Sequence, residues 1–135
     1  MISKELLSLV LGITIDELNP IVIEDNELRY IEDYDIDYTQ GSWKHLNLDT
    51  LGRLCKKWCI HQRRHLRTQS FHNLNHKLKD SDEAMKYIEG EDLTILYQCQ
   101  VNHYTGHDLW VCSDKTELEA IIKATTWVAK NKELL

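Results

Sequence analysis

The hydrophobic period of this chain switches repeatedly between the 3.6 residues of a helix and the two residues of a strand, and that switching restricts the fold more than any single residue does. Ser3 followed by Lys4-Glu5-Leu6-Leu7 marks a helix start. Leu6, Leu7, Val10 and Leu11 form its apolar stripe, and Gly12 supplies a stop. After Pro20, Ile21-Val22-Ile23 reads as a β-branched strand and Glu24–Glu27 as a polar turn. Leu28–Tyr38 then reads as the returning strand of a hairpin. Gln40-Gly41-Ser42 turns the chain into a third short strand at Trp43–Leu46. A helix capped by Asn47 or Asp49 is predicted to run to about His65. Leu48, Leu51, Leu54, Cys55, Trp58 and Cys59 form its core-facing stripe, and Arg53, Lys56, Lys57, Arg63 and Arg64 its basic outer surface.

The second half repeats the scheme. Leu66–Leu78 alternates loosely and is predicted to hold a strand. Ser81–Ile88 reads as a short helix closed by Gly90, and Leu93–Val101 as a strand. Asn102–Asp108 is a turn, from which Leu109–Cys112 pairs back. The closing helix starts at a capping box, in which the Thr116 hydroxyl and the Glu119 carboxylate satisfy each other's free backbone donors. Leu118, Ile121, Ile122, Thr125, Val128 and Ala129 form its stripe, and Glu119 and Lys123 an i,i+4 ion pair. This order predicts an α+β fold: a mainly antiparallel sheet built from hairpins, with about three helices packed on it. The length of 135 residues fits one such domain, spanning residues 1–135.

Composition sets the broad class. The chain is 42% hydrophobic and 28% charged, enough apolar material for a core and too much for a disordered segment. No apolar run approaches the roughly 20 residues of a membrane span. The N-terminus lacks a basic region followed by a cleavable apolar stretch, so a cytoplasmic location is expected. Without an export signal, Cys55, Cys59, Cys99 and Cys112 are expected to be reduced and mostly buried.

The net charge of −6 conceals segregation. Residues 1–50 hold eleven acids and three bases, residues 51–80 one acid and eight bases, and residues 81–135 ten acids and five bases. Such asymmetry along a chain steers partners when it becomes asymmetry on a surface. Its sharpest expression is the predicted second strand. There Leu28, Tyr30, Tyr34, Ile36 and Tyr38 share one parity, and Asp33, Asp35 and Asp37 the other. Alternate strand residues stand about 6.6–7 Å apart. That is close to the spacing of phosphates along one nucleic-acid strand, about 6–7 Å. The candidate partner-binding residues are therefore Glu32, Asp33, Tyr34, Asp35, Asp37 and Tyr38. The plainer alternative is a solvated strand face whose charge guards an edge against aggregation.

Two Cys/His groups invite a metal or acid–base reading. The first is Cys55, Cys59, His61, His65, His72 and His76, in which the two cysteines, and likewise His61 and His65, stand one helical turn apart. The spacing is not that of a zinc knuckle, and both cysteines lie on an apolar stripe with Trp58. The second is Cys99, His103, His107, Asp108 and Cys112 around the predicted turn. Core thiols with surface histidines in the first group, and polar turn residues in the second, are the preferred readings. The basic stretch Arg53–Arg67 suits phosphate contacts, but an acidic protein repels a polyanion. The chain carries no glycine-rich phosphate loop, nucleophile elbow or H-E-x-x-H motif.

Leu48–Cys59 (LDTLGRLCKKWC) and Thr116–Lys130 (TELEAIIKATTWVAK) together resemble a pattern in small α+β proteins of bacterial prophages and other mobile elements. In that pattern a helix with a [KR]-x-W motif precedes the strands, and a closing helix reads roughly T-E-x-E-A-I-x-K-A-x-x-W. The matching residues of the closing helix are Thr116, Glu117, Glu119, Ala120, Ile121, Lys123, Ala124 and Trp127. The resemblance covers about a third of the chain, in core and cap positions, and carries no assigned reaction. It implies a protein that acts on host machinery.

The expectation is thus a non-enzymatic protein without catalytic residues, metal or cofactor. Its expected partner is a host protein with a basic surface, such as a nucleic-acid-binding defence factor of the CRISPR nuclease kind, which it would inhibit. Neither direct nucleic-acid nor membrane contact is expected, and a homodimer is left open. The alternatives are an immunity protein for a cognate toxin, or a metal or small-molecule binder using the Cys/His groups.

Overall fold

A computed structural model of the protein describes residues 1–32, 43–72 and 95–131. Helix α1 (Lys4–Leu11) starts where the Ser3 hydroxyl accepts the Leu6 N–H at 3.1 Å. It ends where Gly12 takes φ 68°, in the left-handed region that glycine enters without strain. Leu6 and Leu7 are buried. The connector beyond is tied back by a bridge between Ile15 and Glu32 and by the Asp16 N–H on the Ile31 carbonyl, at 2.8 Å.

The first sheet has the order β1-β2-β3: β1 (Val22–Glu24), β2 (Glu27–Ile31) and β3 (Trp43–Asn47), all antiparallel. Asp25 and Asn26 form the two-residue β1–β2 turn with φ of 52° and 62°. Both values are positive, as the tight turns that match strand twist require, and Asp and Asn are the side chains that tolerate them. The predicted hairpin is present. Its returning strand is described only to Ile31, and the rest of the predicted strand, Asp33–Tyr38, lies outside the described residues together with the Gln40–Ser42 turn.

Helix α2 (Leu48–His61) is capped by Asn47, whose side-chain oxygen accepts the Asp49 N–H at 2.8 Å. It ends four residues before the predicted His65. Arg63 adopts φ 60° and directs its N–H to the Ile60 carbonyl at 2.9 Å, and the chain leaves directly into a strand. The second sheet has the order β4-β5-β6, antiparallel throughout: β4 (Arg64–His72), β5 (Ile95–His103) and β6 (Asp108–Asp114). The predicted helix Ser81–Ile88 lies outside the described residues. Helix α3 (Glu117–Asn131) follows, with the Thr116 hydroxyl accepting the Glu119 N–H at 3.1 Å. The expected Glu119–Lys123 pair is superseded. Lys123 Nζ lies 2.9 Å from Asp114, whose carboxylate is also fixed by the Lys115 N–H at 2.7 Å and so offers a better-ordered partner.

Helices α2 and α3 pack on one face of the second sheet and against each other. Between them lie Leu51, Cys55, Cys59, Leu66, Cys99, Val101, Ala120, Ile121, Ala124 and Val128, all in one core cluster with Leu6, Leu7 and Leu28. The architecture is α+β, with two antiparallel three-stranded sheets and three helices among the described residues. None of these helices is long and apolar enough to cross a membrane.

Candidate functional site

Of the predicted partner-binding residues, Glu32 alone is described. It is half-buried and bridged to Ile15. Asp33, Tyr34, Asp35, Asp37 and Tyr38 lie outside the described residues. Ile31 and Trp43, which bracket the acidic stretch in the sequence, face each other as register partners of β2 and β3. Side chains alternate across these strands. Leu28 is fully buried, and Tyr30 and Leu46 pack on the core. The opposite face carries Val22, Glu24, Glu27, Arg29, Trp43 and His45. The Arg29 guanidinium lies 3.8 Å from Glu24 and 3.7 Å from Glu27, and Glu27 also meets His45 Nδ1 at 3.2 Å. Val22, Arg29, Trp43 and His45 line a depression of about 250 Å³, and the Trp43 indole is 42% exposed. A part-exposed indole beside a mixed ion network is the composition of a contact surface, in which aromatics and arginine supply most of the energy.

The cysteines belong to the core, as expected. Burial, the largest effect, pushes the Cys55 thiol up to about 11 and the Cys59 and Cys99 thiols to about 12, and it raises Cys112 too. Cys59 donates to the Thr125 hydroxyl at 3.7 Å, and Cys112 to the Ala120 carbonyl at 3.3 Å. Metal ligation and nucleophilic attack need the thiolate, which this environment suppresses. His61 and His65 are exposed and, because α2 ends at His61, share no helix face. Of the remaining members of that group, His72 ends the described part of β4 and His76 lies outside the described residues. Among the described residues no three Cys, His, Asp or Glu side chains converge on a metal position.

The second histidine group is assembled. His103 and His107 stack at 4.8 Å between centroids with 20° between planes. The Thr105 hydroxyl lies between them, 2.8 Å from one Nδ1 and 3.1 Å from the other. Asp108, by contrast, is engaged by the amide of buried Asn102. The structure adds a residue that the sequence reading left on the outer surface of a helix. Arg63 places its guanidinium 5.9 Å from the centroid of the Tyr104 ring. A left-handed φ at a non-glycine residue costs about 1–2 kcal/mol, so this position carries strain.

A further cleft, of about 480 Å³, runs beside α3. Trp110 from β6 and Trp127 from α3 stack there at 5.5 Å with 8° between planes. Met1, Ile122 and Thr126 line it as well, together with the charged side chains of Asp114, Glu119, Lys123 and Lys130. This pairing is not legible in the sequence. The signal was two tryptophans, one four residues before the strand end and one within the helical stripe region, with nothing local to bring them together.

No family model, curated protein or solved structure matches the chain.

Proposed function

We propose that the protein is a non-enzymatic binding protein that engages a cationic partner through its first sheet. The contact surface comprises the acidic stretch Glu32–Tyr38 and the outer face of β1–β3 beside it. The observation that carries this reading is the outer face of β1–β3, where the part-exposed Trp43 stands on the same face as the Glu24–Arg29–Glu27–His45 network, and where Ile31 and Trp43, the residues that flank the acidic stretch in the sequence, are register partners. The charge of residues 1–50, eleven acids against three bases, supports electrostatic steering of a basic partner toward this side. The host-directed form of the reading, inhibition of a nucleic-acid-binding defence factor, draws on the mobile-element resemblance of α2 and α3. The same surface would serve an immunity protein.

Site-specific photocrosslinking tests the surface. A photoreactive phenylalanine at Tyr34 or Trp43 is expected to crosslink a basic protein from a bacterial lysate, and the same group at Val111, on the second sheet, is not. Equal capture from all three positions contradicts the assignment.

A second reading, small-molecule binding, is favoured by the tryptophan cleft, whose size and mainly apolar wall suit a ligand with a planar body. A fragment screen read on the Trp127 indole N–H signal checks it. Absence of any saturable hit at Trp110 or Trp127 removes it.

A further inference from the structure

We propose that the end of the second sheet that carries Arg63, His103 and His107 on adjacent turns binds the phosphate group of a small phosphorylated ligand. Strand register creates the site. Arg64 pairs with His103 across β4 and β5, so the α2–β4 turn and the β5–β6 turn emerge side by side. Arg63 lies at the first turn and His103, Tyr104, Thr105 and His107 at the second. The Tyr104 ring holds the two turns together, 5.9 Å from the Arg63 guanidinium and 4.3 Å from the His103 ring.

Hydrogen bonding inside the turn sets what the histidines offer a ligand. The Thr105 N–H donates to His103 Nδ1 at 3.3 Å, so this nitrogen accepts and the proton of the neutral ring sits on Nε2. The Thr105 hydroxyl, with its one proton, therefore donates to His103 Nδ1 and accepts from the Nδ1–H of His107, so the neutral His107 ring keeps its Nε2 as an acceptor. Both Nε2 atoms remain for an external partner, since no bond to either occurs among the described residues. The planar Arg63 guanidinium and the His103 Nε2–H donate to the tetrahedral oxygens of phosphate, and the His107 Nε2 accepts from a protonated phosphate oxygen.

Electrostatics points the same way. Burial lowers the His103 pKa most, and His107, Arg64 and Arg63, in that order, lower it further, so the arginines stand near enough to this ring to disfavour its protonation. The acid nearest in the sequence, Asp108, is engaged by Asn102, and no carboxylate pairs with Arg63 among the described residues. Arg63 also holds φ 60°, where glycine or asparagine would sit with less strain. A strained arginine whose guanidinium lies over the Tyr104 ring, beside His103, is explained by use of its side chain. Tyr104, 63% exposed, adds a ring face on which a planar group of the ligand can stack. The site is separate from the acidic surface proposed above and does not depend on it.

The test is titration of the whole chain with inorganic phosphate and with AMP at matched chloride ionic strength, read on the imidazole proton signals. Both probes are expected to shift His103 and His107 saturably. Arg63→Gly and Arg63→Asn are expected to weaken the response about tenfold or more while melting no lower than the parent, because both substitutions relieve backbone strain. His103→Gln with His107→Gln provides a second loss that leaves Arg63 in place. A response that persists in the Arg63 variants overturns the proposal, as does one no larger than that to chloride. Binding of an RNA oligonucleotide with no response to phosphate or AMP also overturns it, because recognition would then require a polymer.

Discussion

Gly52 sits inside α2 where the helix crosses α3. A methyl group added there would stand 3.5 Å from Leu118 Cδ1 and 3.7 Å from Ile121 Cδ1, at ordinary contact distance. Gly52 is therefore not demanded by crowding, and it leaves helix propensity unused. Gly52→Ala is expected to stabilise the fold by about 0.5–1 kcal/mol, measured by urea denaturation. A loss of stability would mean that the helices approach more closely than described. The buried thiols make a prediction of opposite sign. Their ordinary pKa is 9.0, and Cys55 is raised to about 11 and Cys59 to about 12. The unfolded chain thus releases these protons first. Their contribution to stability is complete below about pH 9 and is lost progressively as pH rises toward 11–12. Between pH 8 and 10.5, Cys55→Ala should lose stability less steeply than the parent. Parallel slopes would show that this thiol is not shielded.

At the scale of elements, the cap of α3 is open to direct test. Thr116 accepts the Glu119 N–H at 3.1 Å, and Thr116→Ala should cost about 1 kcal/mol, seen as a lower melting temperature. No change would mean that the helix start is held by packing alone. This helix was legible in the sequence because its cap and its stripe are local patterns. The β1–β2 hairpin was legible too, since Asp25 and Asn26 are side chains suited to positive φ. The end of α2 was not. Arginine carries no signal for a left-handed backbone, so the helix was expected to continue to His65. Nor was the Lys123–Asp114 pair legible, because i,i+4 spacing names a neighbour within the helix and is silent about the strand packed beside it. The histidine–arginine cluster depends on the β4–β5 register, which joins residues far apart in the chain and has no local code.

At the scale of the molecule, the chain divides its chemistry between two sheets. The first carries Trp43 and the Glu24–Arg29–Glu27–His45 network on its outer face, and the second presents Arg63 and two histidines in the turns at one end. The charge segregation along the chain does not map onto this division, because the base-rich residues 51–80 supply β4 while the acid-rich residues 81–135 supply β5 and β6 of the same sheet. Which side chains meet was decided by register and packing. The central claim, that the acidic stretch binds a cationic partner, is tested most directly by affinity capture from a bacterial lysate at low and moderate salt. The protein is compared with a variant carrying Asp33→Asn, Asp35→Asn and Asp37→Asn, after both are shown to melt alike. The account predicts a basic protein retained by the parent, weakened by salt and lost with the variant. Identical capture by both proteins, at either salt concentration, would contradict it.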